Sequence, residues 1–200
     1  MACWASVTDS SGVGGRRILA SAIRNRFIWQ SQFYTDRIMP NLRIVPATEA
    51  DVPLILELIQ ALAQYEKLAH KVTATEARLR ETLFGVRPAA EVLLAHWDGE
   101  CAGFAVFFAN YSTFLAQPGI FLEDLYVKPH LRGKGIGLAL LKRLAEIAVE
   151  RRCGRMEWEV LDWNQPAIRF YKKLGAAPMD EWTKYRLTGE ALESLALSRD

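Results

Sequence analysis

A short glycine-rich stretch, Arg132-Gly133-Lys134-Gly135-Ile136-Gly137, stands between an apolar strand pattern and a helical pattern. In a strand–turn–helix unit, glycines let a ligand approach the backbone N–H groups at the helix start, where the helix dipole favours an anion. Arg132 and Lys134 add positive charge. The spacing fits neither the GxGxxG loop of dinucleotide-binding folds nor the GxxxxGK[ST] phosphate loop. By itself the stretch therefore predicts a site for a phosphorylated ligand.

Strand and helix patterns alternate around this loop. Strands are predicted over residues 43–46, 91–97, 101–110, 120–127, 156–161 and 182–187, with Asp98-Gly99 as a hairpin turn. A first helix begins after Thr48 and carries an apolar face at helical spacing, formed by Ile55, Leu58, Ile59 and Leu62. Further helices are predicted from a capping box at residues 73–76 to Gly85, over residues 138–151, and over residues 166–174. The order β-α-α-β-β-β-α-β-α-β predicts a single α/β domain with a mixed sheet.

Composition excludes several classes of protein. The chain has 200 residues, a net charge of +2 and 50% hydrophobic residues, which argues against a strongly basic nucleic-acid binder and against a disordered chain. No apolar run approaches the ~18–20 residues of a membrane span. The cysteines and histidines are Cys3, Cys101, Cys153, His70, His96 and His130. Their spacing fits no metal site, no HExxH motif and no disulfide framework. We therefore expect no metal and a reducing, cytoplasmic location.

The first 38 residues differ from the remainder. They contain five arginines and two aspartates, a net charge of +3, so residues 39–200 carry −1 of the overall +2. We expect a poorly ordered basic extension and a domain over residues 39–200. Three interpretations of the extension stay open: an upstream addition with Met39 as the working start, a transit-like segment, or an aromatic stretch at residues 27–34 that docks on the domain or a partner.

Several stretches together carry a family resemblance. The spacing Arg132-x-x-Gly135-x-Gly137 resembles the acetyl-CoA pyrophosphate loop of the GCN5-related N-acetyltransferase (GNAT) superfamily. Residues 65–68 (YEKL), 122–127 (LEDLYV), 161–166 (LDWNQP) and 170–176 (FYKKLGA) are similar to its spermidine/spermine (diamine) and thialysine N-acetyltransferase branch. The resemblance covers nearly all of the chain after Met39. It implies a GNAT fold, in which one mixed, mostly antiparallel sheet has helices on both faces.

The resemblance implies two catalytic residues for acetyl transfer from a thioester to an amine. Tyr171 would protonate the departing CoA sulfur, and Glu123 would remove the amine proton, directly or through a water. A phenol with a pKa of about 10 suits an alkyl thiolate leaving group. Strand alternation places Glu123 and Asp124 on opposite faces, so we expect Asp124 to be solvated or paired with a neighbour. The alternatives are a packing role for Tyr171 and an ordinary exposed charge for Glu123.

The resemblance also implies the residues that contact acetyl-CoA and the amine. For Asn164, a role as the cap of the helix that bears Tyr171 stays open beside a contact with acetyl-CoA. A backbone N–H of the strand before the loop, that of Val127, would face the thioester oxygen. Acetyl-CoA would contact Leu125, Tyr126, Val127, Arg132, Gly133, Lys134, Gly135, Ile136, Gly137, Asn164, Ala167 and Tyr171, and the amine would meet Tyr65, Glu66, Glu123, Glu157, Glu159 and Glu181.

The sequence therefore predicts an acetyl-CoA-dependent N-acetyltransferase that acts on a small cationic amine by direct attack in a ternary complex. A polyamine, a diamine and a lysine-like amino acid all stay open as substrates. The alternatives are acetylation of a peptide or protein amine, and a non-catalytic acyl-CoA-binding regulatory module. The resemblance further implies a homodimer. Neither a nucleic acid nor a membrane is expected as a partner.

Overall fold

A computed structural model describes Met39 and residues 41–198 of the chain. The predicted basic extension, residues 1–38, lies outside the described residues. The chain divides into two units, one ending at Glu159 and the other beginning at Val160. In the described part of the chain, no helix is both long and apolar enough to cross a membrane.

The first unit contains a five-stranded sheet whose strands follow chain order. The strands are β1 (Leu42–Pro46), β2 (Glu91–Trp97), β3 (Glu100–Ser112), β4 (Gln117–Val127) and β5 (Met156–Trp158). Strands β1 to β4 are antiparallel, and β5 runs parallel to β4. Asp98 and Gly99 join β2 to β3 with φ angles of 51° and 84°, the left-handed pair that a tight hairpin turn requires. The predicted mixed, mostly antiparallel sheet is confirmed.

Helices lie on both faces of this sheet, as predicted. They are α1 (Val52–Tyr65), α2 (Glu76–Phe84) and α3 (Ile136–Glu150). The buried side of α1 packs with Val106 of β3 and Tyr126 of β4, and α2 packs against the same core cluster. Phe107, the neighbour of Val106, instead lines a cleft with Ile147 of α3. Because adjacent residues in a strand point to opposite faces, α1 and α3 cover opposite sides of the sheet.

Strand β4 contains a bulge where the sequence pattern shows only regular alternation. Leu122 pairs with Phe107 and Asp124 pairs with Val106, so Glu123 is an extra residue between two ladder positions. Cross-strand partners share a face, and Val106 and Phe107 lie on opposite faces. Leu122 and Asp124 therefore also lie on opposite faces, although simple alternation would place them on the same one.

Strands β4 and β5 part just before the bulge. Pairing between them is confined to residues 120–122 of β4, opposite Met156, Glu157 and Trp158. The predicted strand over residues 156–161 is accordingly too long, because residues beyond Trp158 have no β4 ladder to join.

The second unit contains α4 (Gln165–Lys173) and α5 (Gly189–Leu197). The prediction that residues 182–187 form a closing strand is wrong, since they lie in neither a helix nor a strand. An alternating pattern describes side chains, whereas a strand also needs a neighbouring backbone with which to pair. Gly175, with φ of 86°, follows the end of α4 as predicted.

Candidate active site

The glycine loop joins β4 to α3 through backbone conformations that favour glycine. Gly133 and Gly135 have φ angles of 80° and 82°, and Gly135 caps α3. The first intrahelical bond of α3 runs from Ala139 N to Gly135 O over 3.0 Å. The N–H groups of Ile136 and Gly137, in the first turn, therefore have no carbonyl within the helix to bond. These N–H groups and the positive end of the helix dipole lie where the sequence predicts an anion-binding site.

The two cations of the loop rest on aromatic rings. The guanidinium carbon of Arg132 lies 4.4 Å from the ring centre of Tyr65 and 5.7 Å from that of Tyr126. Its Nε donates to the carbonyl oxygen of Val127 over 2.9 Å. Lys134 Nζ lies 5.0 Å from the ring centre of Trp97. Both cations are thus engaged with aromatic rings beside the loop.

The end of β4 presents backbone groups away from β3. Lys128 N donates to Ala102 O over 2.8 Å, so Val127 and its partner Gly103 form a non-hydrogen-bonded pair of the ladder. By the alternation of an antiparallel ladder, the N–H and C=O groups of Val127 and Leu125 point to the side on which β5 has already ended. The predicted contacts of Leu125 and Val127 with acetyl-CoA require backbone groups that point to this side.

Gly103 makes this close approach of β3 to β4 feasible. A Cβ at this position would clash with the backbone of β4. It would overlap Tyr126 O and would lie 3.0 Å from Val127 Cα. A glycine inside a strand is a sequence signal of such close backbone approach. Gly103, inside the predicted strand over residues 101–110, is such a signal.

The middle of β4 carries two adjacent carboxylates with different surroundings. Glu123, on the bulge, is exposed, whereas Asp124 is half-buried. Burial, followed by the negative charges of Glu123 and Glu66, raises the pKa of Asp124 to about 6. The expectation that Asp124 is solvated is therefore wrong. The bulge is the reason, because Asp124 pairs with Val106 on the face covered by α1.

The end of α1 contributes to the same acidic region. Glu66 is the C-terminal cap of α1, directly after Tyr65, and partial burial raises its pKa. Both Glu66 and Asp124 therefore hold their protons more tightly than free side chains do. A cation that entered beside them would favour their charged forms.

The predicted substrate residues Glu157, Glu159 and Glu181 lie in three different settings. Glu157, in β5, accepts a hydrogen bond from Asn110 Nδ2 over 2.7 Å and forms an ion pair with Arg155 Nε over 2.8 Å. Its charge is therefore partly compensated within the protein. Glu159 lies within the predicted strand over residues 156–161 but follows the end of β5, which is at Trp158. Glu181 lies in a turn of the second unit.

The second unit places Tyr171 on α4. Asn164 caps this helix, and its side-chain oxygen accepts from Ala167 N over 3.4 Å. The capping role that the sequence allowed for Asn164 is thus present. The rings of Phe170 and Tyr171 lie 5.4 Å apart between centres. The carbonyl of Tyr171 accepts from Ala176 N over 3.2 Å at the end of the helix.

Comparisons with known proteins agree with this architecture. A family model described as "Acetyltransferase (GNAT) family" matches residues 55–176. A thialysine N-epsilon-acetyltransferase of Sus scrofa is 40% identical over 169 residues, which span 79% of this chain and 99% of the relative. An L-ornithine N5-acetyltransferase of Arabidopsis thaliana is 36% identical over 198 residues, which span 76% of this chain and 87% of the relative.

A solved structure gives the same result for the fold. An integron cassette protein from the mobile metagenome of V. cholerae superposes with a TM-score of 0.68 at 28% identity, over 79% of this chain and 99% of that one. The chain belongs to the GNAT acetyltransferase family. It is an N-acetyltransferase, and its relatives lie in the thialysine and diamine branch that the sequence motifs predict.

Proposed function

We propose that this enzyme transfers the acetyl group of acetyl-CoA to a primary amine of a small cationic molecule, namely a polyamine, a diamine or a lysine-like amino acid. The observation that carries the proposal is the parting of β4 from β5 immediately before the glycine loop at the start of α3. An extended ligand with amide groups and a pyrophosphate matches this arrangement, because the strand edge pairs with amides and the helix start attracts anions.

The proposal assigns the parts of acetyl-CoA to separate elements. The pyrophosphate meets the N–H groups of the loop and of the first turn of α3, which are those of Gly133, Gly135, Ile136 and Gly137. Leu125 and Val127 pair with the pantetheine arm. Asn164 and Ala167 contact the lower part of the CoA arm. Tyr126 contributes through its place in the strand, and its ring belongs to the core beneath it.

The proposed chemistry is direct attack. The amine nitrogen, deprotonated through Glu123 or through a water held by it, attacks the thioester carbonyl. The N–H of Val127 stabilises the oxyanion of the tetrahedral intermediate. The C–S bond then breaks, and Tyr171 supplies a proton to the CoA thiolate. No bond to the enzyme forms, which suits a sequence without a nucleophile–base pair.

The proposed substrate carries positive charge because carboxylates surround the bulge of β4. Asp124 and Glu66 interact through their negative charges, and Glu123 adds a third. The relatives named above act, by their names, on thialysine and L-ornithine, two amino acids with an amine at the end of the side chain. Tyr65, Glu157, Glu159 and Glu181 are further proposed contacts. The homodimer and the cytoplasmic location stay predictions.

An acetyl-CoA consumption screen tests the proposal. Spermidine, putrescine, L-lysine, L-ornithine, thialysine and a short peptide are each offered with acetyl-CoA, and CoA release is followed together with the mass of the acetylated product. We expect turnover with at least one small cationic amine. Turnover with the peptide alone would favour a protein or peptide amine as substrate, and CoA binding without any turnover would favour a binding module.

A further inference from the structure

The side chain of Arg132 connects the two halves of the site. It leaves the glycine loop, donates from Nε to the carbonyl of Val127 over 2.9 Å, and places its guanidinium 4.4 Å from the ring centre of Tyr65. Tyr65 is the last residue of α1, and Glu66 follows it. The contact thus runs from the proposed CoA loop to the proposed amine side.

This arrangement gives Arg132 a different job from that of a phosphate ligand. A guanidinium that stacks on a ring gains about 2- to 5-fold in an equilibrium constant at an exposed position, and more where water is excluded. A second ring, that of Tyr126, lies 5.7 Å from the guanidinium carbon on the β4 side. With Nε already donating to Val127, the planar group is fixed between β4 and α1.

The other cation of the loop provides an internal comparison. Lys134 lies over Trp97, which belongs to β2 and pairs with Leu42 of β1. Its contact therefore ties the loop to β2, whereas the contact of Arg132 ties it to α1. A charge change at Lys134 should alter anion affinity without involving Tyr65.

We infer that Arg132 is a positioning residue that ties the glycine loop to the end of α1 by stacking on Tyr65, so that loading CoA and ordering the amine side are coupled. The inference rests on the proposed function, because it assumes that the loop binds CoA. If the two elements move as one, each ligand should favour the arrangement that the other needs, and linkage makes the effect reciprocal.

A double-mutant cycle on CoA affinity tests the inference without any amine. Isothermal titration of free CoA into wild type, Arg132→Gln, Tyr65→Leu and the double variant gives four Kd values. We expect Arg132→Gln to weaken binding about 3- to 10-fold and Tyr65→Leu about 2- to 5-fold, from the energy of a cation–π contact. The double variant should be no weaker than Arg132→Gln, because either change removes the same contact.

Matched variants separate stacking from charge and from folding. Tyr65→Phe keeps the ring and should change the CoA Kd less than about twofold. Lys134→Gln combined with Tyr65→Leu should give the product of the two single effects, since Lys134 lies over a different ring, that of Trp97. Kd values are compared among variants that unfold cooperatively on heating, and Tyr65→Met replaces Tyr65→Leu if the latter does not.

A kinetic readout distinguishes positioning from simple loosening of the loop. At saturating acetyl-CoA, Arg132→Gln should raise the amine KM about 2- to 5-fold while kcat stays within about twofold, and Arg132→Lys should recover only part of the loss. Multiplicative Kd effects of Arg132→Gln and Tyr65→Leu, or an unchanged amine KM, would overturn the inference while leaving the proposed function intact. Failure of the wild type to bind CoA would overturn both.

Discussion

The glycine loop after β4 and the middle of β4 acquire their structures in different ways. In the loop, Gly133 and Gly135 adopt left-handed backbone conformations that lead into α3. In the middle of β4, the surroundings of Glu123 and Asp124 are set by a bulge and by the covering helix α1. The first region is defined by backbone conformation within a few residues, and the second by pairing between distant parts of the chain.

The difference explains why a sequence motif predicts the glycine loop but does not predict the surroundings of Glu123 and Asp124. A loop that binds an anion needs N–H groups and space, which glycine spacing specifies directly. A carboxylate with a raised pKa needs a partly buried position and like charges nearby, which come from tertiary packing. Variants in the two regions should therefore fail in distinguishable ways.

The largest expected effect lies outside β4. Tyr171→Phe removes the proposed proton donor to the CoA thiolate and should lower kcat by about 10²-fold or more, which is the usual contribution of a general acid. The CoA Kd, measured by titration calorimetry, should change much less. Unchanged turnover would exclude Tyr171 as the proton donor and would leave only residues of β4 as catalytic candidates.

The next largest effect is expected for Glu123→Gln, which changes the middle of β4. It removes the proposed base and should lower kcat/KM by about 10²-fold near neutral pH. Because an amine loses its proton without help at high pH, the deficit should narrow as pH rises. Steady-state rates from pH 6 to 10 check this, and a deficit that stays constant across the range would argue for a role in binding alone.

Gly135→Ala tests the other region. Its φ of 82° is strained for alanine by roughly 1–2 kcal/mol, and the added Cβ would lie 3.3 Å from Met39 Cε. We expect the CoA Kd to rise about tenfold with little change in kcat at saturating acetyl-CoA. Gly189→Ala is the matched control, since it also places alanine at a positive φ angle, of 55°, at the start of α5. Equal losses of CoA affinity in both variants would contradict a local role for Gly135.

The smallest expected effect concerns stability. The pKa of Asp124 rises from 3.8 to about 6, so between these pH values the folded state binds more protons than the unfolded state. The free energy of unfolding therefore falls as pH rises through this window. Asp124→Asn should stabilise the protein by about 1 kcal/mol at pH 8 and change it little at pH 4, as urea unfolding would show. A destabilised variant at pH 8 would mean that the charged carboxylate is well paired.

Sequence reasoning reached the features that depend on neighbouring residues. The helices, the Asp98-Gly99 hairpin, the cap formed by Asn164 and the glycine loop all follow from local patterns, and each is present in the structure. The family and its branch followed from short motifs, and the comparisons confirm them.

The features that sequence reasoning missed depend on partners far along the chain. The bulge at Glu123 is set by the register with β3, and the stacking of Arg132 on Tyr65 joins residues from two elements. The predicted strand at residues 182–187 failed for the same reason, because its alternating pattern carries no information about a pairing partner. The assignments of Tyr171 and Glu123 as catalytic residues stay predictions.

One competition experiment tests the central claim most directly. Spermidine, putrescine, L-ornithine, L-lysine, thialysine, butylamine and a short peptide are mixed at equal concentrations with the enzyme and acetyl-CoA, and mass spectrometry measures each acetylated product. We predict that one of the small amines with more than one amino group is acetylated at least about tenfold faster than butylamine and the peptide, because a second positive charge is attracted by the carboxylates around β4. Equal rates for butylamine, or a lead by the peptide, would contradict the account.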